Sequence, residues 1–337
     1  MSEIPATFRA FIAERDHETG HARVDRLAAD ALPSGEVTVR VEWSGVNYKD
    51  ALAASPNGKV ARISPLVPGI DLAGEVVESS DHTIRIGEQV LAHGYEIGVG
   101  RHGGFAEYAR VPAGWVVPLP PSMTAREAMA IGTAGFTAGM SIDRLEARGL
   151  VPDAGPVLVT GASGGVGRNA VSMLARNGYD VWAMTGKPDE ADRLRAIGAA
   201  GIVDRSICDV GAGRPFESER WAAAVDSVGA ATLPYLLRTL KHGGAVAASG
   251  NASGAELVTT VFPFILRGVT LIGIDSAQVP IRERRELWSR LARDLRPMLP
   301  DDAITEIGLE GLPAAFESIL AGEARGRWLV RVDAGGG

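Results

Sequence analysis

The chain predicts an α/β protein in which a doubly wound, six-stranded parallel sheet follows a β-rich first domain. Three observations lead there. Val157-Leu158-Val159-Thr160 feeds the glycine-dense turn Gly161-Ala162-Ser163-Gly164-Gly165-Val166-Gly167, after which a helical pattern begins at Asn169. The spacing of apolar residues changes from two to helical near Thr124. Beyond that point apolar strands recur near 157–161, 180–185, 201–204, 222–228, 244–250 and 270–275, separated by helical segments.

From Phe8 to Pro121 the pattern is one of short strands and turns. Val37, Val39, Val41 and Trp43 share one face, and Gly74-Glu75-Val76-Val77 and Gln89-Val90-Leu91 follow after turn signals such as Gly87. Val116 to Pro121 reads as an extended exit segment. Thr124 with Glu127 three residues later is a capping box that opens the first helix of the second domain. Past Pro300 the pattern gives a short helix, Pro313 to Ala321, and a final strand from Trp328 to Val332, expected to rejoin the first domain. Gly335-Gly336-Gly337 is expected to be disordered.

The glycine turn is a dinucleotide phosphate cradle by its chemistry. Gly164 admits close backbone approach to a pyrophosphate, Gly167 lets the helix pack on the strand, and the helix N-terminus offers N–H groups to an anion. Ala162 stands where the usual pattern has its first glycine. NAD sites commonly place a carboxylate about 20 residues on, at the end of the next strand, for the adenosine ribose. This strand ends instead in Thr185-Gly186-Lys187, a hydroxyl, a flexible backbone and a cation suited to a 2′-phosphate, so the cofactor is read as NADPH. Arg205, beyond Gly201-Ile202-Val203, is a second cation for that phosphate; both cations could otherwise be ordinary solvated charges.

Composition bounds the rest. With 337 residues the chain has room for two cores, and 46% hydrophobic with 22% charged residues is ordinary for a soluble globular protein. A net charge of −7 argues against a general polyanion binder, so no nucleic-acid partner is expected. The single cysteine, Cys208, excludes internal disulfides and multi-cysteine zinc sites, and is expected to be inert. Met1 to Asp16 lacks a signal-peptide core and no stretch is apolar enough to span a bilayer, so the expectation is a cytoplasmic protein without a membrane partner.

A β-rich first domain, an NADPH-binding domain and a returning tail resemble the medium-chain dehydrogenase/reductase superfamily over nearly the whole chain, and three blocks, Val46-Asn47-Tyr48-Lys49-Asp50-Ala51-Leu52, Pro68-Gly69-Ile70-Asp71-Leu72-Ala73-Gly74 and Ile131-Gly132-Thr133-Ala134-Gly135-Phe136-Thr137-Ala138, narrow the match to its zinc-free, quinone-reductase-like branch. Zinc-carrying members have Gly-His-Glu where this chain has Gly69-Ile70-Asp71, and Ile70 cannot ligate a metal; no metal site is expected. Phe262-Pro263-Phe264-Ile265-Leu266-Arg267, Gly273-Ile274-Asp275-Ser276, Pro280 and Arg284-Arg285 narrow the resemblance to the zinc-free, quinone-reductase-like branch and its acryloyl-CoA reductase subgroup. His102-Gly103-Gly104 departs from it, since a tryptophan is expected before the glycine pair. The resemblance implies a GroES-like catalytic domain over 1–123, a Rossmann NADPH-binding domain over 124–299 and a return to the catalytic domain over 300–337.

It also implies an activity: NADPH-dependent reduction of the carbon–carbon double bond of acryloyl-CoA, a short 2-enoyl-CoA, to propanoyl-CoA. The alternatives are a broad NADPH quinone or enone reductase and, further off, a non-enzymatic NADPH-sensing or RNA-binding protein. Tyr48 is the catalytic candidate, because a phenol is protonated at neutral pH and can donate toward charge developing on the thioester oxygen; equally, its ring could only pack against nicotinamide. By resemblance Ser163, Gly164, Gly165, Val166 and Gly167 hold the pyrophosphate, Thr185, Gly186, Lys187 and Arg205 the 2′-phosphate, and Asn251, Ile265 and Ser276 the nicotinamide half, with Tyr48 and Thr133 joining the cofactor contacts. Bland readings stand beside these: Ile265 as core, Asn251 as a turn residue, Lys49 with Asp50 as a local ion pair, Asp71 as an acceptor of backbone donors at a turn. The stretch Arg282 to Arg296 reads as a solvated, self-paired helix rather than a site for CoA phosphates. A homodimer formed along a sheet edge near Thr270 to Asp275 completes the implied picture.

Overall fold

A computed structural model of the chain describes residues 4–15, 20–209 and 214–332. The terminal Gly335 to Gly337 lies outside them. The described residues fall into two compact units, one of 1–133, 277–289 and 299–337, the other of 134–276 and 290–298. This division differs from a linear one at 123 and 299, because the chain passes back into the first unit twice.

The first unit is built on a seven-stranded sheet. A hairpin of β1 (Thr7–Arg15) and β2 (Gly20–Ala28) precedes β3 (Val37–Gly45), whose Val37, Val39 and Val41 are almost fully buried while Trp43 is half-buried. A short helix, α1 (Tyr48–Ala54), leads to β4 (Asp71–Ser79), β5 (Gln89–His93), β6 (Tyr108–Val111) and β7 (Val117–Pro118). A long helix, α2 (Ala125–Glu146), opens with the expected capping box: Thr124 N–H donates to Glu127 Oε2 at 2.8 Å and Glu127 N–H to Thr124 Oγ1 at 3.2 Å.

The second unit takes up the chain inside α2 and centres on a parallel sheet in the order β10-β9-β8-β11-β12-β13. Its members are β8 (Val157–Val159), β9 (Val181–Thr185), β10 (Gly201–Asp204), β11 (Trp221–Asp226), β12 (Leu240–Ala248) and β13 (Thr270–Gly273). Between them run α3 (Gly165–Arg176), α4 (Ala191–Ala196), α5 (Thr232–Thr239) and α6 (Phe262–Arg267). Val157, Leu158 and Val159 are fully buried, as a central parallel strand covered on both faces requires. α3 presses Ala170, Val171, Met173 and Leu174 inward. The reversal of strand order between β8 and β11 is the switch point at which doubly wound sheets bind ligands.

The tail contributes α7 (Ile281–Leu291), β14 (Ile304–Ile307), α8 (Leu312–Leu320) and β15 (Arg327–Arg331). β15 pairs antiparallel with β3, and β14 pairs with β15 at the sheet edge; β14 carries no clear alternation in the sequence. α7 corrects the reading of a solvated helix. Arg282 and Glu286 pair within the helix as expected, but Arg290 pairs with Asp143 and Glu146 of α2 as well as with Asp294, and Arg284, Leu287, Trp288 and Leu291 are buried. No helix among the described residues is long and apolar enough to cross a membrane.

Candidate active site and cofactor site

On the second unit the glycine turn is tightest at Gly167, which has no room for a side chain. A Cβ on Gly167 would lie 2.3 Å from the Gly161 carbonyl oxygen and 2.6 Å from Ala162 Cα. α3 therefore starts hard against the end of β8, and Gly164, its N-cap, contributes no capping side chain. The first N–H groups of the helix are the ones an α-helix leaves without internal partners, next to the positive end of its dipole. The donor set fits a pyrophosphate. Ala162 in place of the usual glycine is tolerated because its φ is not positive; its N–H bonds the Met184 carbonyl at 3.0 Å and its methyl is buried.

The end of β9 is tied to this cradle. Ser163 Oγ and Thr185 Oγ1 are 3.2 Å apart, and Thr185 Oγ1 also accepts the Lys187 N–H at 3.0 Å, so the buried threonine orders the turn that carries Lys187. The Arg205 guanidinium stands over Gly186, where an added Cβ would meet it at 3.4 Å. A cavity of about 520 Å³ adjoins both, lined by Gly186, Asp204, Arg205, Ser206 and the segment from Val228 to Thr232. The Asp204 carboxylate in its wall caps Ser206 N–H at 2.8 Å, which with the nearby Arg205 keeps it below the usual carboxylate range. The segment 228–232 escaped notice in the sequence. Its signal was Asp226 at a strand end before Gly229: that buried carboxylate accepts Thr160 Oγ1 at 2.5 Å and Gly229 N–H at 3.0 Å, fixing the loop next to the cavity.

Other readings on this unit divide. Asn251 does form a turn, its carbonyl accepting Gly254 N–H at 3.0 Å. Ile265 is not core: it is 66% exposed, with Val258, Val261 and Leu266 exposed in the same run. Ser276 Oγ accepts from Thr137 Oγ1 at 2.7 Å. Cys208 is buried against Met184, Sγ to Sδ 3.7 Å, and burial pushes its thiol up to about 12, consistent with an inert residue.

On the first unit, Tyr48 opens α1 and is 59% exposed. Asn47 is the N-cap, and its N–H donates to Asp50 Oδ2 at 2.8 Å. Asp50 is wholly buried and also accepts Gly69 and Ile70 N–H groups at 3.1 and 2.8 Å. This corrects the reading of a Lys49–Asp50 ion pair: the carboxylate turns inward to cap a helix and a strand. Burial, then the charge of Asp71, push it up to about 7 against the pull of those donors. Asp71 is an acceptor of backbone donors as read, although at the start of β4 rather than in a turn: Thr133 N–H lies 3.1 Å from both its oxygens. Thr133 Oγ1 also stands 3.3 Å from Nδ1 of His93, which burial, then the Arg284 charge, hold well below its usual range and so neutral. His102 accepts Val67 N–H at Nδ1, 3.1 Å away, so at the departure from the family pattern it braces the loop before Gly69.

Fold and sites define a two-domain oxidoreductase of the kind that joins a GroES-like unit to a dinucleotide-type sheet. The family model for the alcohol dehydrogenase GroES-like domain matches residues 33–121, and that for zinc-binding dehydrogenases matches 165–293. Among similar proteins, acrylyl-CoA reductase AcuI of Ruegeria pomeroyi is 47% identical, the match covering 97% of this chain and all of that one. The putative quinone oxidoreductase YhfP of Bacillus subtilis is 45% identical over 96% and 99% of the two chains. The crystal structure of the yhdH oxidoreductase from Salmonella enterica in complex with NADP superposes with a TM-score of 0.92 at 44% identity, over 96% and 99%. That of Bacillus subtilis yhfP with NAD bound gives 0.94 at 44%, over 97% and 100%. The chain belongs to the medium-chain dehydrogenase/reductase superfamily, in the zinc-free subgroup that holds the acrylyl-CoA reductases. Among the described residues no group of three or more His, Cys, Asp or Glu side chains could hold a metal ion.

Proposed function

We propose that this protein is an NADPH-dependent reductase of the carbon–carbon double bond of acryloyl-CoA, giving propanoyl-CoA. The observation that carries it is the end of β9: Thr185, Gly186 and Lys187, with Arg205 over Gly186, form a cationic turn beside a glycine cradle, in a chain 47% identical to an acrylyl-CoA reductase. A 2′-phosphate matches those cations.

NADPH, when bound, supplies the hydride for the β-carbon of the enoyl group. Ser163, Gly164, Gly165, Val166 and Gly167 hold the pyrophosphate, Lys187 and Arg205 the 2′-phosphate, and Thr133, Asn251, Ile265 and Ser276 the nicotinamide half. Tyr48 donates a hydrogen bond to the thioester oxygen as negative charge gathers there, and the α-carbon then takes up a proton. The exposed phenol, mounted on a helix whose N-cap Asn47 is bonded to the buried Asp50, suits that part.

A second reading rests on the 45% identity to a putative quinone oxidoreductase. The deciding measurement is a panel of acryloyl-CoA, crotonyl-CoA and a small quinone, each with NADPH and with NADH. Higher kcat/KM for acryloyl-CoA with NADPH supports the reductase. A quinone turned over more efficiently than either thioester overturns it. In solution the protein is proposed to be a homodimer joined along the β13 edge, beside the exposed apolar run from Leu257 to Leu266, and to work in the cytoplasm.

A further inference from the structure

We infer that Asp71 and Arg327 are a positioning pair whose role is to hold Tyr48 and Thr133 in one fixed register; this rests on the functional reading above, in which Tyr48 meets substrate and Thr133 meets the cofactor. The first support is that one carboxylate serves both residues. Asp71 accepts Thr133 Oγ1 at 2.5 Å on Oδ1 and Asn47 Nδ2 at 2.9 Å on Oδ2, in addition to the Thr133 N–H. Asn47 is the N-cap from which the Tyr48 helix starts.

The second is the pattern around Gly132, where α2 leaves helical geometry at φ 51°, ψ −161°. The break strands carbonyls before it and an N–H after it. Arg327 answers the carbonyls, donating from Nε to Ala130 O at 3.1 Å and from Nη2 to Met129 O at 3.2 Å. Asp71 answers the N–H of Thr133. Arg327 Nη1 meanwhile reaches Val46 O and Asn47 Oδ1, each at 3.2 Å, so the guanidinium grips the Tyr48 segment as well. Nη2 and Asp71 Oδ2 stand 3.8 Å apart, and both side chains are buried.

The third is steric. A Cβ on Gly45 would come within 2.7 Å of Arg327 Nη2 and 2.9 Å of Asp71 Oδ2; one on Gly132 would come within 2.7 and 2.6 Å of the same atoms. Both backbones are drawn against the charge pair, one just before Asn47, the other just before Thr133. A buried ion pair adds little net stability over apolar packing of the same volume. Here the bonds end on groups beside Tyr48 and Thr133, so the pair supplies orientation, and misplacement of reacting groups by about 1 Å can cost on the order of a hundredfold in rate.

Hydrogen exchange on the protein without cofactor, together with kinetics, tests this. Thr133→Val removes one hydroxyl that touches Asp71 and no part of α1, so exchange at residues 48–54 should accelerate several-fold. Asn47→Ala and Thr133→Val should each lower kcat for acryloyl-CoA, and the double variant should lose at least roughly threefold less than the product of the two losses, because each loosens the same anchor. Asp71→Asn should reproduce both effects. Ser44→Ala is the structural control: Ser44 Oγ bonds only the Asp71 backbone carbonyl, at 2.6 Å, so this variant should lower Tm with kcat and exchange at 48–54 unchanged. Unmoved exchange at 48–54 in Thr133→Val, or losses that simply multiply, overturns the pair while leaving the reductase reading intact. A wild-type protein that fails to reduce acryloyl-CoA removes that reading, and exchange alone then decides whether the pair couples the two segments.

Discussion

At Tyr48 the hydroxyl and the ring can be separated by a single substitution. If the phenol stabilises the developing enolate, Tyr48→Phe lowers kcat and kcat/KM together, by roughly a hundredfold, with NADPH affinity unchanged. If the ring only packs, turnover stays near normal when the chemical step is limiting. Lys187 gives a matching test on the cofactor side: Lys187→Ala should weaken NADPH binding by roughly tenfold, the worth of one charge-assisted hydrogen bond, and leave NADH nearly untouched, as fluorescence titration would report. Equal use of both cofactors by the unaltered protein would remove the assignment, a live comparison given that one relative was crystallised with NAD. Both residues drew attention in the sequence because Lys187 follows a strand end at a fixed offset from the glycine cradle and Tyr48 stands in a block that resembles the family's. Ile265 was ambiguous there, since an apolar run reads the same whether it faces a core or solvent, and only the fold exposes it.

Among the elements, α2 shows best what sequence patterning conceals. The apolar spacing continues through Gly132, so the helix reads as unbroken, yet the backbone turns there to a positive φ. Gly132→Ala should therefore destabilise the protein by roughly 1–3 kcal/mol in urea unfolding, through both the left-handed backbone and the contacts a methyl would force. The inward-facing half of α7 was hidden for a related reason. Its charges alternate as on a solvated surface, while Arg284 lies buried with Nη2 donating to the Ala277 carbonyl at 3.1 Å and its guanidinium 4.5 Å from the Tyr95 ring. Helix α1 carries a pH signature. Asp50 ordinarily titrates near 3.8 and in the folded protein near 7, so the native state holds its proton longer than the unfolded chain. Its contribution to stability is full below the unfolded value and is lost as pH rises through about 7. Asp50→Asn should flatten the fall in Tm between about pH 4 and 7; an unchanged slope would assign that fall elsewhere.

For the whole molecule, alternation of strands and helices made the parallel sheet readable, and the glycine turn lies at the end of its central strand β8. The return of the tail was foreseen in outline. The inclusion of 277–289 in the first unit was not, because it depends on side chains such as Trp288, whose Nε1 donates to His93 Nε2 at 2.9 Å across nearly two hundred residues of chain. Assembly makes a separate prediction. If β13 joins two copies, Val261→Asp, on the exposed apolar run next to that edge, should shift sedimentation to a monomer. A wild-type protein that already sediments as a monomer would rule the dimer out.

The return of the tail also sets an order of biosynthesis. Asp71 emerges from the ribosome early, but Arg327, which faces it in the finished protein, emerges last of all its partners. Until then Asp71 is without the guanidinium that faces it in the finished protein, and the sheet lacks the strand that pairs with Trp43 to Gly45. The second unit is complete in sequence by Met298. A stop codon just before Arg327 should thus leave the first unit without its closing strand and without the guanidinium that faces Asp71, and lower its stability in urea unfolding.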